Sequence, residues 1–323
     1  MAATDSYAGG DGRLSPLSTP SATRAVLEAH GIGTKYTLGQ NFLVNDDVLK
    51  KIIALAEVGE NDRVLEVGPG IGTLTIALLK HAASVIAIER DPDLPAVLAD
   101  TLHPWREKFA LIEKDALDVT RDDIVAAMVE IGGDTGYPDR ASSAANETAQ
   151  WAVSQSEDCL SESGYPVAPP QEDLQLSLPS KLVANLPYAV AATVVLDYFE
   201  SFPFLDSATI MVQKEVADRM VAAVGTKNYG AYTVKLGLYA EPAGRFAVGP
   251  GNFFPPPRVD SAVIRLNRRV PLMADGAPAS PEVIAAAALM ADAAFTNRRK
   301  TIANSCKTYF SGRGPILLGV ADS

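Results

Sequence analysis

The run Val64-Leu65-Glu66-Val67-Gly68-Pro69-Gly70-Ile71-Gly72-Thr73 constrains this chain more than any other segment. A short, mostly apolar stretch meets three alternating glycines, and helical periodicity resumes at once over residues 73–80. That order predicts a buried strand, a tight turn and a helix, the unit from which doubly wound sheets are built. Glycines in the turn let backbone approach a ligand where a Cβ would collide. A second apolar run, 85–88, ends at Glu89, 21 positions after Gly68. A carboxylate at that place can accept from both hydroxyls of a ribose.

Two nucleotide-like cofactors compete for such a unit. A nicotinamide dinucleotide uses GxGxxG, whose third glycine packs helix against strand over a pyrophosphate. Here Pro69 sits inside the turn and Thr73 takes the third-glycine position. S-adenosylmethionine has no pyrophosphate and needs only close backbone approach, so Gly68, Gly70 and Glu89 read as its binding residues. Asp115, just past a third apolar run at 109–112, suits the adenine amino group of that cofactor; its plainer reading is a helix N-cap or turn residue.

A fourth strand, 181–186, runs into Asn185-Leu186-Pro187-Tyr188 at the carboxyl edge of the sheet. An exocyclic adenine nitrogen is a poor nucleophile because its lone pair is delocalised into the ring. The Asn185 side-chain oxygen and the Leu186 carbonyl can accept its two N–H groups and favour a pyramidal nitrogen. Pro187 restricts the backbone, and Tyr188 can stack on a base extruded from RNA. Catalysis of this kind is positioning and electrostatic preorganisation without a covalent intermediate. Taken alone, the tetrapeptide also fits an ordinary strand-ending turn.

The remaining pattern continues the alternation: helices over 191–200 and 215–223, strands over 209–212 and 261–266, then an Ala-rich helix over 281–295 and another from Asn297 onward. Residues 1–22 read as a disordered tail. Residues 128–180 read as an acidic disordered insertion, with a partner-binding arm as the alternative. They carry nine acids against one base and so supply −8 of the net −11. From 205 onward fourteen Lys/Arg face nine Asp/Glu, which softens the objection that an acidic chain makes a poor partner for phosphates. The two cysteines show no CxxC spacing, the three histidines lie far apart and no run suits a signal peptide or membrane span. The expectation is a cytoplasmic protein with no metal site and no membrane contact.

With both motifs in place, the chain resembles the 16S rRNA adenine N6,N6-dimethyltransferases of the small ribosomal subunit. Further blocks carry the resemblance in family order: Gly39-Gln40-Asn41-Phe42-Leu43, Gln213-Lys214-Glu215-Val216, Asn228-Tyr229-Gly230, Phe253 with Pro255-Pro256-Pro257-Arg258-Val259-Asp260-Ser261-Ala262-Val263, and Asn297-Arg298-Arg299-Lys300-Thr301. The resemblance implies an α/β, Rossmann-like class I S-adenosylmethionine-dependent methyltransferase with a mostly parallel seven-stranded sheet over 23–269. A small helical RNA-binding domain over 270–323 follows, short of its final helices. It implies four methyl transfers to two adjacent adenosines in a hairpin near the 3′ end of 16S rRNA, in the 30S subunit or its precursor, by a monomer with a role in ribosome biogenesis. Gln40, Asn41, Leu43, Gly68, Gly70, Glu89, Asp115 and Asn185 would bind the cofactor. Asn185, Leu186 and Tyr188 would handle the target amine, and Arg298, Arg299 and Lys300 would contact RNA or form a solvated helix end. Phe253 would pack against the flipped base or serve as a core aromatic. An erythromycin-resistance type enzyme acting on large-subunit RNA is the nearest rival, and an N6-adenine DNA methyltransferase, usually reading DPPY, a more distant one. An assembly factor for which methylation is secondary is the alternative of another class.

Overall fold

The computed structural model describes residues 12–32, 41–132, 178–297 and 299–311. Its first helix, α1 (Pro20–Ala29), starts where the Thr19 hydroxyl accepts the Ala22 N–H. Pro20 is tolerated in the first turn because that position has no helical acceptor to lose. For residues 12–22 this corrects the expectation of a disordered tail. Leu17 is 1% exposed, and one Asp46 oxygen accepts the backbone N–H groups of Leu14 and Ser15 at 2.8 and 3.2 Å. Ser15, Ser18 and Thr19 give the segment a tail-like composition, yet their hydroxyls order it through local hydrogen bonds.

Next come β1 (Phe42–Leu43) and α2 (Asp46–Ala56), the latter capped by the Asn45 side chain. β2 (Arg63–Val67), α3 (Thr73–Leu79), β3 (Ser84–Ile88), α4 (Leu94–Thr101), β4 (Phe109–Ile112) and α5 (Arg121–Gly132) complete the first half. The second half holds β5 (Lys181–Asn185), α6 (Ala191–Ser201), β6 (Ser207–Gln213), α7 (Lys214–Met220), α8 (Ala231–Gly237), β7 (Ala240–Val248), β8 (Phe253–Phe254), β9 (Ser261–Arg268), α9 (Pro281–Phe295) and α10 (Ile302–Phe310). The acidic insertion is narrower than the expected 128–180. Residues 128–132 finish α5, where Met128 is buried, and Leu178 is buried on the far side. The rest of that segment, 133–177, lies outside the described residues.

Seven strands lie in the order β4-β3-β2-β5-β6-β9-β7. The pairings from β4 through β6 are parallel, and those that add β9 and β7 are antiparallel. Alternate residues feed two cores: Leu65, Val67, Ile86 and Ile88 pack with α5 and α6, while Val64, Val85 and Val183 pack with α2, α3 and α4. Burial on both faces is why these strands read as unbroken apolar runs. β7 differs because it is an edge strand, mostly exposed, with a register shift between Pro242 and Gly244. A Cβ on Gly244 would lie 2.7 Å from Leu55 Cδ1, so α2 presses directly on that bulge.

Beyond the sheet, α9 packs on α10 through Ala293, Cys306 and Phe310. It also leans on α8 through a Lys235–Asp292 ion pair at 3.0 Å, and on the residues just before α8 through an edge contact between Tyr229 and Phe295. The last helix begins at Ile302 and not at Asn297. Thr301 caps it, while the Asn297 N–H donates to Ser305 Oγ at 3.0 Å and holds the turn between the helices. Among the described residues no helix is long and apolar enough to cross a membrane.

Candidate active site

Strand order reverses between β2 and β5, and the carboxyl ends there leave the crevice in which open α/β sheets bind ligands. A cavity of about 540 Å³ occupies it, lined by the glycine turn, Asn41, Leu43, Glu89, Asp115 and residues 185–188. Gly68, Gly70 and Gly72 have φ of +70°, +59° and +88°, a region that L side chains avoid. A Cβ on Gly68 would meet Pro187 Cδ at 3.5 Å, so the turn and the tetrapeptide are in contact. One on Gly70 would come within 3.2 Å of Phe42 Cε1, because the β1 segment closes over the turn.

Four carboxyl groups, those of Glu66, Glu89, Asp91 and Asp115, stand around this cavity. Glu89 Oε1 accepts the N–H groups of Arg90 and Asp91, both at 2.9 Å, yet burial holds its carboxyl above the usual range. Asp115 Oδ1 accepts the Leu117 N–H at 3.1 Å, and Oδ2 takes Arg90 Nη1 at 2.6 Å. Those bonds, Leu117 first, hold the Asp115 carboxyl below its ordinary value. Asp115 is therefore both a turn cap and a wall of the cavity. Glu66 is one residue that sequence reasoning misses; its one signal is a charge inside an otherwise apolar strand. It is 1% exposed, and its Oε2 has no hydrogen-bond partner among the described residues. Burial pushes its carboxyl up to about 8, Thr75 opposes that rise without a well-formed hydrogen bond, and the Glu89 charge adds to it.

Asn185, the last residue of β5, donates from Nδ2 to the Asn41 carbonyl at 3.3 Å, which leaves Oδ1 as the acceptor. The Leu186 side chain is buried and its N–H is tied to the Met211 carbonyl at 3.1 Å, so its backbone is what it can offer a ligand. The Pro187 carbonyl accepts from Val190 and Ala191 and starts α6. Tyr188 Oη lies 2.6 Å from Ser261 Oγ; burial raises the phenol pKa and this contact opposes the rise.

The remaining candidates divide. β1 pairs with β8, with Leu43 opposite Phe253. Phe253 is 4% exposed within the apolar cluster and does not line the cavity. Strand pairing seats it beside Leu43 of the closing segment, in the position of a core aromatic. Gln40 and Arg298 lie outside the described residues. Arg299 and Lys300 are exposed on the turn before α10 and do not line the cavity, whereas Arg90, Lys114 and Gln213 do. Among the described residues no group of three or more His, Cys, Asp or Glu could hold a metal ion.

A family model described as ribosomal RNA adenine dimethylase matches residues 33–315. The chain is 33% identical over 293 residues to a ribosomal RNA small subunit methyltransferase A from Paenarthrobacter aurescens, covering 90% of this chain and 80% of that protein. It is 35% identical over 291 residues to the protein of the same name from Cutibacterium acnes, covering 88% and 80%. A solved dimethyladenosine transferase from Plasmodium falciparum is similar at a TM-score of 0.53 and 23% identity, over 82% of this chain and 74% of that one. A solved 23S rRNA methyltransferase gives 0.52 and 22%, over 82% and 83%. At such identities the two structures carry the fold alone, which is the class I S-adenosylmethionine-dependent methyltransferase fold. Family model and relatives together cover nearly all of the described chain, and the protein belongs to the ribosomal RNA adenine dimethylase family.

Proposed function

We propose that this chain dimethylates the N6 amino groups of two adjacent adenosines in a hairpin near the 3′ end of 16S rRNA, within the cytoplasmic small subunit or its precursor. The observation that carries the reading is the contact between Gly68 and Pro187, which sets the methyl-donor turn directly beside an acceptor pair built for an amine. The residues present fit S-adenosylmethionine. The glycine cradle would be filled by any Cβ, and Glu66 Oε2 and Thr73 Oγ1 are buried polar atoms left unpartnered among the described residues. Glu66, Thr73, Glu89 and Asp115 line the cavity; Glu89 would accept from the ribose hydroxyls and Asp115 from the adenine amino group. When bound, the cofactor supplies an electrophilic methyl group on a positively charged sulfonium.

Everything else is positioning by this chain. Asn185 Oδ1 and the Leu186 carbonyl accept the two N–H groups of the target amine, turning its lone pair toward the turn. The Asn41 carbonyl keeps the Asn185 amide from flipping. Tyr188, braced by Ser261, supplies a ring for the flipped base. Arg299 and Lys300, with Arg298, offer charge to RNA phosphates.

The PPPRVDSAV and NRRKT blocks favour the small subunit over the large one. Methylation of purified subunits by the wild-type chain and by Asn185→Ala tests the reading. Label in small-subunit RNA that falls more than about a hundredfold in the variant, with cofactor affinity retained, is expected. Label entering only 23S RNA would sink the substrate assignment, and near-normal dimethylation by the variant would sink the mechanism.

A further inference from the structure

Arg90 follows Glu89 directly, lines the cavity and reaches from the end of β3 to the residues after β4, where it meets Asp115. The two side chains are 54% and 32% exposed, so the pair stands at the cavity mouth. An ion pair that open to solvent adds little to stability, and its effect lies in what it does to the carboxylate. With the Leu117 N–H on Oδ1 and Arg90 on Oδ2, each oxygen has a donor, and rotating the group breaks one bond or the other. The Arg90 backbone N–H is held in turn by Glu89 Oε1. One residue thus connects the carboxylate suited to a ribose with the carboxylate suited to a base.

We propose that Arg90 is a positioning residue that sets the base specificity of the cofactor site, fixing Asp115 as an acceptor for a 6-amino purine and offering its guanidinium plane to the ring. The inference rests on the assignment of adenine to Asp115 made above. An ionised carboxylate accepts and cannot donate. It therefore favours a 6-amino group over a 6-oxo group, which sets an acceptor against it and moves the donor of that edge one ring position away, to N1–H. The ring contact needs a guanidinium, whose flat face packs on an aromatic ring better than an ammonium does, whereas the single Nη1–Oδ2 bond to the carboxylate needs only a charged donor.

Titration calorimetry on the whole chain tests this, with S-adenosylhomocysteine and its 6-oxo counterpart S-inosylhomocysteine as probes. The wild type should prefer the adenosyl compound by at least about tenfold, the loss expected when a charged acceptor faces an acceptor where it had a donor. Arg90→Ala should cut that preference about fivefold with no change in melting temperature, since the freed carboxylate can turn away. Arg90→Lys should restore much of the preference through its charge but less of the affinity. Asp115→Asn should abolish or reverse the preference, because its amide can donate to the 6-oxo group. If Arg90→Ala kept the wild-type ratio while Asp115→Asn lost it, the role of Arg90 would be overturned and the adenine assignment would stand. If both variants kept it, the adenine assignment would fall and this inference with it.

Discussion

Tyr188 Oη and Ser261 Oγ lie 2.6 Å apart, and Ser261 is wholly buried at the start of β9. The bond fastens the loop after β5 to the antiparallel part of the sheet and fixes the tilt of a ring that should stack on the target base. Ser261→Ala is expected to slow methyl transfer about fivefold, the effect of one hydrogen bond between neutral groups, with cofactor affinity unchanged. Tyr188→Phe should match it, and the double variant should be no slower. Single-turnover rates on small subunits give the comparison; fully additive losses would mean that the two hydroxyls act separately.

Gly70 has φ of +59°, and a Cβ there would lie 3.2 Å from Phe42 Cε1. Gly70→Ala should cost about 1–2 kcal/mol in backbone conformation alone, before Phe42 is displaced. Thermal unfolding and titration with S-adenosylhomocysteine should show a lower melting temperature and binding weaker by at least about tenfold, equivalent to about 1.4 kcal/mol. Unchanged binding would mean that the closing segment can lift from the turn without consequence.

Glu66 gives the cofactor-free protein a pH dependence of known sign. Its carboxyl titrates near 8 in the folded chain against an ordinary 4.5. Between those values the folded state keeps a proton that the unfolded chain has released. Its contribution to stability is therefore fullest below the unfolded value, declines as pH rises and levels off above the folded value. Glu66→Gln should flatten the decline and leave the variant more stable than the wild type near pH 8, by about 1 kcal/mol or more. Urea unfolding across that range is the measurement, and equal slopes for both proteins would contradict the buried ionisation.

Strands β2 to β6 and β9 are legible in the sequence because burial on both faces demands apolar runs, whereas β7 is an exposed edge whose proline and glycine mimic a loop. α1 hides for a related reason: Thr19 followed by Pro20 is a helix start that shares its composition with a disordered tail. At the site, the glycines, Glu89, Asp115 and the tetrapeptide declare themselves by residue type and spacing. Glu66, Arg90 and Ser261 do not. A single charge or serine has no periodic signature, and its meaning comes from the group it faces after folding.

The strip that covers the glycine turn is secured from far along the chain. The Val44 N–H donates to the Asn252 carbonyl at 2.8 Å, and Asn45 Nδ2 donates to Asn252 Oδ1, 207 positions away, also at 2.8 Å. A ribosome making this protein releases the turn early, but the strand pairing and the Asn252 bonds that tie β1 across it wait until translation has passed β8. Nascent chains shorter than that lack the ties that fasten the strip. Competence to modify a ribosome thus arrives late in the synthesis of the chain, when most of the polypeptide has already emerged from one.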